Sequence, residues 1–332
     1  MAGSNLHAVA KEAGVSVSTA SRVLNKAPGT VAISAATIAR VRAAANSLGY
    51  VPHAAARMLR TGRSRCIGVL GAHPSFFAAR GHFTGEIMAG LMRAGVELGY
   101  HTTLLTGWEH FVAGGDIHAD LGSADGLLVL NRDLYQNPAH MDTIRRCRIP
   151  VVYALEHPDG DPDVVYARPD DEQGGRLAVE ALRHAGHERI GFGRNREWQG
   201  IFGRRQRGWE TAMRAAGVEL RDDWVFNETP DPQCVAELGL TAIIGANQSI
   251  GRTAHQVLAD AGVPVELVVF GHLDERGAPL QDDPAVAHDL AGCIARAVHQ
   301  LVGLIEGKTI DRQILAPMAF HPSTTALAGP TR

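Results

Sequence analysis

Cysteine is scarce in this chain of 332 residues, with four in all, at positions 66, 147, 234 and 293. Their scatter fits neither a zinc-ligand nor a dithiol spacing. With no apolar signal segment at the amino terminus, a disulfide framework is not expected, and reduced thiols in a cytoplasmic protein are. No apolar run approaches the length of a membrane span. HExxH, phosphate-loop and nucleophile-elbow motifs are all missing, which removes the common signatures of metalloprotease, nucleotide-hydrolase and serine-hydrolase chemistry. His184 and His187 have the spacing of a ligand pair, but Ala185 and Gly186 between them belong to a helix-ending turn, so both read as ordinary surface histidines. No metal, cofactor or enzymatic activity is expected. What remains, 45% hydrophobic, suffices for two or three domains with sizeable cores.

Charge is distributed unevenly. Residues 1–65 hold nine basic side chains (Lys11, Arg22, Lys26, Arg40, Arg42, Arg57, Arg60, Arg63 and Arg65) and one acid, Glu12, a formal +8 that leaves −11 for the rest of a chain whose total is −3. A basic arm on an acidic body points to polyphosphate as the partner of the arm.

The arm has the pattern of a DNA reader. Leu6, Val9, Ala10 and Ala13 share one helical face, and Gly14 stands where a left-handed stop wants no side chain. Ser16 suits the N-cap of a second helix that turns Ala20, Val23 and Leu24 inward and Val17, Ser18, Ser21 and Arg22 outward. Ser18 and Arg22 project together, and arginine can bond guanine O6 and N7 at once. Ser16, Thr19 and Asn25 are short donors suited to phosphate oxygens. A third helix from Ser34 to Leu48 completes a helix-turn-helix head over residues 1–50.

Residues 51–63 form a linker in which Pro52 can begin and Gly62 end a helix too short to persist alone in water. Two readings stand: an ordinary flexible linker, or a hinge that orders when paired with a second copy on a DNA minor groove. In the second, Leu59 wedges between base steps while Arg57 and Arg60 meet phosphates.

From Cys66 onward, strand-length apolar runs (67–70, 101–105, 126–130, 150–155, 189–192, 242–245 and 267–270) alternate with helical patterns near 85–98, 174–185, 204–216 and 250–261. This predicts parallel sheets with crossover helices in two tandem halves with a cleft between them. The body is thus placed at 64–332, the part to which the family resemblance given below assigns effector binding and dimerisation. Its N-subdomain covers about 64–168 plus a later returning segment, and its C-subdomain about 169–290 plus the C-terminal segment.

The stretches AGVSVSTASRVLN, LGYVPHAAARMLRTGRS and GGRLAVEALRHAGHERIGF, in this order and spacing, resemble the lactose-repressor (LacI) family of bacterial transcription regulators over nearly the whole chain. The resemblance implies an all-α helix-turn-helix head on an α/β body related to periplasmic sugar-binding proteins. It also implies a homodimer on double-stranded, pseudo-palindromic operator DNA, and closure of the body on an effector transmitted to the hinges. A repressor answering to a small-molecule effector, a sugar or sugar-like metabolite, is expected. No leucine heptad follows the last strand, so a dimer is expected rather than a coiled-coil tetramer.

By position, the resemblance assigns effector contacts to Arg205, three residues before Gly208-Trp209, and to Asp170. Arg205 could instead belong to a solvated run with Arg204 and Arg207, and Asp170 could cap the following helix. Where the family carries an asparagine-aspartate pair, this chain has Asn247-Gln248. Where two aspartates follow the glycine after the last major strand, His272-Leu273-Asp274 follows Gly271, so only Asp274 survives. The loop 73–83 is longer than usual and carries Phe76, Phe77 and Phe83, which could stack on a sugar or plug the cleft. The segment 229–240 is shorter than usual. These departures keep a second reading open, a regulator answering to a non-sugar metabolite or a protein partner. A transport-type solute-binding protein or an enzyme on the same scaffold ranks third.

Overall fold

The computed structural model describes residues 5–24, 33–51, 58, 62–71, 81–105, 124–130, 138–146, 148–158, 160–195, 199–227, 229–271 and 283–323. It forms two compact units, divided after Cys66, with Asp125 counted in the first.

In the first unit, α1 (Leu6–Glu12), α2 (Val17–Leu24) and α3 (Ala35–Ser47) pack on one another. Asn5 caps α1, its Oδ1 accepting from the Ala8 amide at 2.9 Å, and Ser34 caps α3, its Oγ accepting from the Thr37 amide at 3.2 Å. Gly14 has φ +60°, the left-handed stop the sequence calls for. Val9, Ala20 and Val41 are fully buried in a core of small apolar side chains. In the same unit the Asp125 carboxylate accepts from the Ser64 amide (2.7 Å), the Ser64 hydroxyl (2.8 Å) and the Arg65 amide (2.8 Å). It thereby holds Arg65 at φ +55°, a conformation that residues with a Cβ seldom adopt.

The second unit is built on two six-stranded sheets. The first contains β1 (Cys66–Leu70), β2 (His101–Leu105), β3 (Gly126–Val129), β4 (Val151–Ala154), β5 (Tyr166–Pro169) and β11 (Gln313–Ala316), in the order β11-β5-β4-β3-β1-β2. The second contains β6 (Ile190–Arg194), β7 (Val225–Asn227), β8 (Ala242–Gly245), β9 (Glu266–Phe270), β10 (Ala285–Ala287) and β12 (Ala319–His321), in the order β12-β10-β9-β8-β6-β7. Inner strands such as β3 and β8 are buried along their whole length, as parallel strands covered on both faces must be. β12 runs antiparallel to β10.

The helices are α4 (Gly81–Leu98), α5 (Pro138–Arg146), α6 (Asp171–His184), α7 (Gln199–Ala215), α8 (Pro232–Leu238), α9 (Gln248–Asp260) and α10 (Leu290–Ile305). The chain passes from the first sheet to the second between β5 and α6, returns between β10 and α10, and crosses again between β11 and β12. α10 packs on α4 and on β3, β4 and β5, whereas α6 packs on α7 and on β9, β10 and β12. Trp209 of α7, 1% exposed, anchors the second core, its indole N–H donating to the Ile190 carbonyl at 3.1 Å.

Four helices start earlier than their apolar periodicity suggests: α4 at Gly81, α6 at Asp171, α7 at Gln199 and, by two residues, α9 at Gln248. Arg168 lies in β5, a strand outside the apolar runs read from the sequence. Cys293 is buried in the first core, and burial pushes its thiol up to about 12. Because the thiolate is the nucleophile, Cys293 is expected to resist iodoacetamide at pH 8 in the native protein and to react once urea unfolds it. Peptide mass mapping checks this, and native labelling at Cys293 is the contrary result.

Candidate functional site

In the head, Ser16 caps α2, its Oγ accepting from the Thr19 amide at 3.1 Å. The same oxygen lies 2.9 Å from Ser18 Oγ and 2.8 Å from Thr19 Oγ1, so three hydroxyls cluster at the start of α2. Amides and hydroxyls at a helix start suit phosphate oxygens. Ser18 is exposed, and Ser21 and Arg22 lie half-buried beside it on the helix. Val17 departs from its expected outward place. It is half-buried against the head core, because the first residue of an eight-residue helix still faces the packing of its neighbours. Asn25, Arg57, Leu59 and Arg60 lie outside the described residues, as do Phe76, Phe77, His272, Leu273 and Asp274.

In the body, the notable feature is a charge cluster where the chain crosses between the sheets. Asp171, the first residue of α6, is fully buried and faces two arginines of α7. Its Oδ1 accepts from Arg205 Nε at 3.0 Å and its Oδ2 from Arg204 Nε at 3.0 Å. Arg204 also donates to the Leu155 carbonyl at 3.3 Å, and Arg205 to the Ala246 carbonyl at 2.6 Å, with its guanidinium 4.2 Å from the centre of the Phe270 ring. Arg204 and Arg205 are therefore buried, while Arg207, paired with Glu172 at 2.9 Å, stays exposed. Burial pulls the Arg205 pKa down and the Asp171 carboxylate opposes that pull.

Arg168 of β5 extends the cluster. Its Nε donates to His157 Nε2 at 3.2 Å, and His157 stacks on Tyr166 with ring centres 3.9 Å apart. The 2.8 Å contact from His157 Nδ1 to the Pro158 carbonyl puts the imidazole proton on Nδ1, leaving Nε2 as the acceptor. Burial, followed by the neighbouring Arg204, lowers the Arg168 pKa.

The other expected effector residues among the described ones are engaged by the fold. Asp170 takes the capping alternative, Oδ1 accepting from the Gln173 amide at 3.0 Å, and the carboxylate that meets Arg205 is its neighbour Asp171. Asn247 caps α9 through the Ile250 amide at 2.8 Å, and Gln248 is the half-buried first residue of that helix. Phe83 lies in α4, partly buried against the first core. His187 corrects its surface reading: it is 3% exposed and bonded to Thr241 Oγ1 at 3.0 Å, because the turn after α6 brings it against the residue that precedes β8, while His184 is exposed. Among the described residues no cluster of His, Cys, Asp and Glu could hold a metal ion, and no helix is long and apolar enough to cross a membrane.

A helix-turn-helix head followed by paired parallel-sheet halves, with a buried arginine pair at their crossing, defines a DNA-binding regulator of the type that carries a periplasmic-binding-protein-like body. Residues 5–53 match the family model for bacterial regulatory proteins of the lacI family, and residues 80–275 that for periplasmic binding proteins and the sugar-binding domain of the LacI family. The chain belongs to the LacI family of transcription regulators. It is 30% identical over 295 residues to the HTH-type transcriptional regulator CelR of Thermobifida fusca, covering 84% of both chains. To the ribose operon repressor of Escherichia coli K12 it is 30% identical over 290 residues, 83% of this chain and 84% of that one. Its fold matches the lac repressor dimer bound to operator and the anti-inducer ONPF with a TM-score of 0.75 at 22% identity, over 98% of this chain and 99% of that one. A CelR–cellobiose complex matches with a TM-score of 0.64 at 25% identity, over 96% and 99%.

Proposed function

We propose that this regulator is a cytoplasmic homodimeric repressor, without enzymatic activity, that binds a pseudo-palindromic operator and releases it when a sugar or sugar-like metabolite occupies the cleft between the halves of the body. The observation that carries the effector site is Arg205, buried at that crossing with its guanidinium against the Phe270 ring. Relatives whose names and titles refer to ribose and cellobiose support a carbohydrate. Ser16, Ser18, Thr19, Ser21, Arg22 and Asn25 contact the operator, and paired hinges with Arg57 and the Leu59 wedge contact its centre. Effector and operator then weaken each other's binding by one shared factor.

One observation favours a non-sugar effector as second reading: Asp170 and Asn247 are spent on helix caps, and Arg205 Nε and Nη1 on Asp171 and Ala246. A calorimetric titration with cellobiose, ribose and their phosphorylated and acidic derivatives, with and without operator DNA, separates the two. Heat with any sugar or sugar derivative of the panel supports the first reading, and heat with none of the panel removes it in favour of the second.

Arg22→Ala is expected to weaken operator binding by about 1–3 kcal/mol and to relax base preference, with the thermal midpoint of the body unchanged. An equal loss on random duplex DNA shows instead that Arg22 touches only phosphate.

A further inference from the structure

Leu155 and Glu156 leave the end of β4, in the half built on the first sheet, and meet α7, which belongs to the half built on the second. Leu155 has φ +71°, in the left-handed region that residues with a Cβ rarely adopt. This backbone twist lets two consecutive residues address one helix. The Leu155 carbonyl accepts from Arg204 Nη2 at 3.3 Å, and Glu156 Oε1 accepts from the Ile201 amide at 2.9 Å. The Glu156 side chain is buried, with the residue 8% exposed. Ile201 lies in the first turn of a 17-residue helix, where amides have no acceptor within the helix and the dipole favours a carboxylate. Residue 200 completes the fit: a Cβ there would fall on the carboxylate oxygens of Glu156, so the carboxylate can occupy this place because Gly200 has no side chain.

We infer that Glu156 is a positioning residue of the effector site. Across the cleft it pins the start of α7, one turn before Arg204 and Arg205, and so fixes the line along which both arginines reach Asp171. A sparsely populated conformation held by surrounding contacts is the kind of feature that clusters at ligand clamps. The regulatory meaning of the contact rests on the proposed effector cleft; the contact itself does not.

Hydrogen–deuterium exchange on the full-length protein, without DNA or ligand, tests it. Glu156→Ala is expected to speed exchange in residues 199–203 by at least about tenfold, while α9 and the head keep their rates. Glu156→Gln, which keeps an acceptor oxygen at the same place, restores most of the protection. Gly200→Ala supplies the sign: in a helix free of the contact alanine would slow exchange, whereas a methyl group that ejects the carboxylate speeds it. The double variant should be no faster than Glu156→Ala alone, since both changes break one contact. If Glu156→Ala fails to fold, Glu156→Gln and Gly200→Ala decide. Unchanged or slower exchange in Gly200→Ala, or acceleration spread evenly over the whole body in Glu156→Ala, overturns the inference. Failure of operator or effector binding would leave these rates as they are, and so bears on the proposed function alone.

Discussion

Asp171→Ala is expected to destabilise the body by about 3–5 kcal/mol, the range found when one member of a buried ionic group is removed. The cost does not come mainly from the two lost hydrogen bonds. Arg204 and Arg205 have side chains only 8% and 11% exposed, and the carboxylate between them is fully buried. Without it, two guanidinium groups sit side by side in a poorly solvated pocket that has lost its closest negative charge, with the Leu155 and Ala246 carbonyls among their acceptors. Neither can neutralise itself, since arginine keeps its proton at any accessible pH. Asp171→Asn should recover part of the loss by keeping one acceptor oxygen in place. Guanidinium denaturation followed through Trp209 and Trp224 fluorescence measures both. A loss below about 1 kcal/mol for the alanine variant would mean that water enters and solvates the arginines.

The exposed pair Arg207–Glu172, one residue beyond Asp171 on α6 and two beyond Arg205 on α7, is the natural control. Its side chains are 57% and 42% exposed, so Glu172→Ala should change stability by less than about 0.5 kcal/mol and lose even that at high salt. Equal effects at Asp171 and Glu172 would contradict the burial argument.

The head and the alternation of strands and helices in the body were legible because apolar spacing and the stop at Gly14 are local signals. The charge cluster was not. Residues 170 and 171 are both aspartates, and only the place where α6 begins decides which one caps the helix and which one faces the arginines. That start was hidden by Gly174 and Gly175, which lower helix propensity and look like a boundary. Gly200 and Gly203 hid the start of α7 in the same way. At 174, 175 and 200 the reason for glycine is tertiary: a Cβ would meet Phe270 and Met318, the backbone of α7, and Glu156 respectively. A pattern rule based on single segments cannot see such neighbours. Arg205 could be singled out because a short motif fixes its distance from Gly208-Trp209, while the carboxylate it meets lies 34 residues away in sequence and no spacing rule links them.

Gly175→Ala carries the second large expectation, a loss of about 3 kcal/mol, at the upper end of the cost of overpacking. A methyl group on residue 175 would run into the Arg205 carbonyl, lie 2.7 Å from the Trp209 amide nitrogen and 2.8 Å from Gly208 Cα. All three are backbone atoms of α7, so no rotamer change relieves the contact. The facing glycine is equally hemmed in, since a Cβ on Gly208 would meet the Glu172 carbonyl and come within 2.9 Å of Gly175 Cα. The helices must therefore move apart, and the segment pushed first is the one bearing Arg204 and Arg205, which draws their side chains away from Asp171. In an unhindered helix the same substitution is stabilising by up to about 1 kcal/mol, so the sign alone is informative. Gly85→Ala in α4, where nothing lies within 4 Å of the added carbon, is the matched control and should stabilise. A Gly175→Ala protein as stable as its parent would show that α6 and α7 have slack where they cross, and that the arginine pair is held by its carboxylate rather than by the approach of the two backbones.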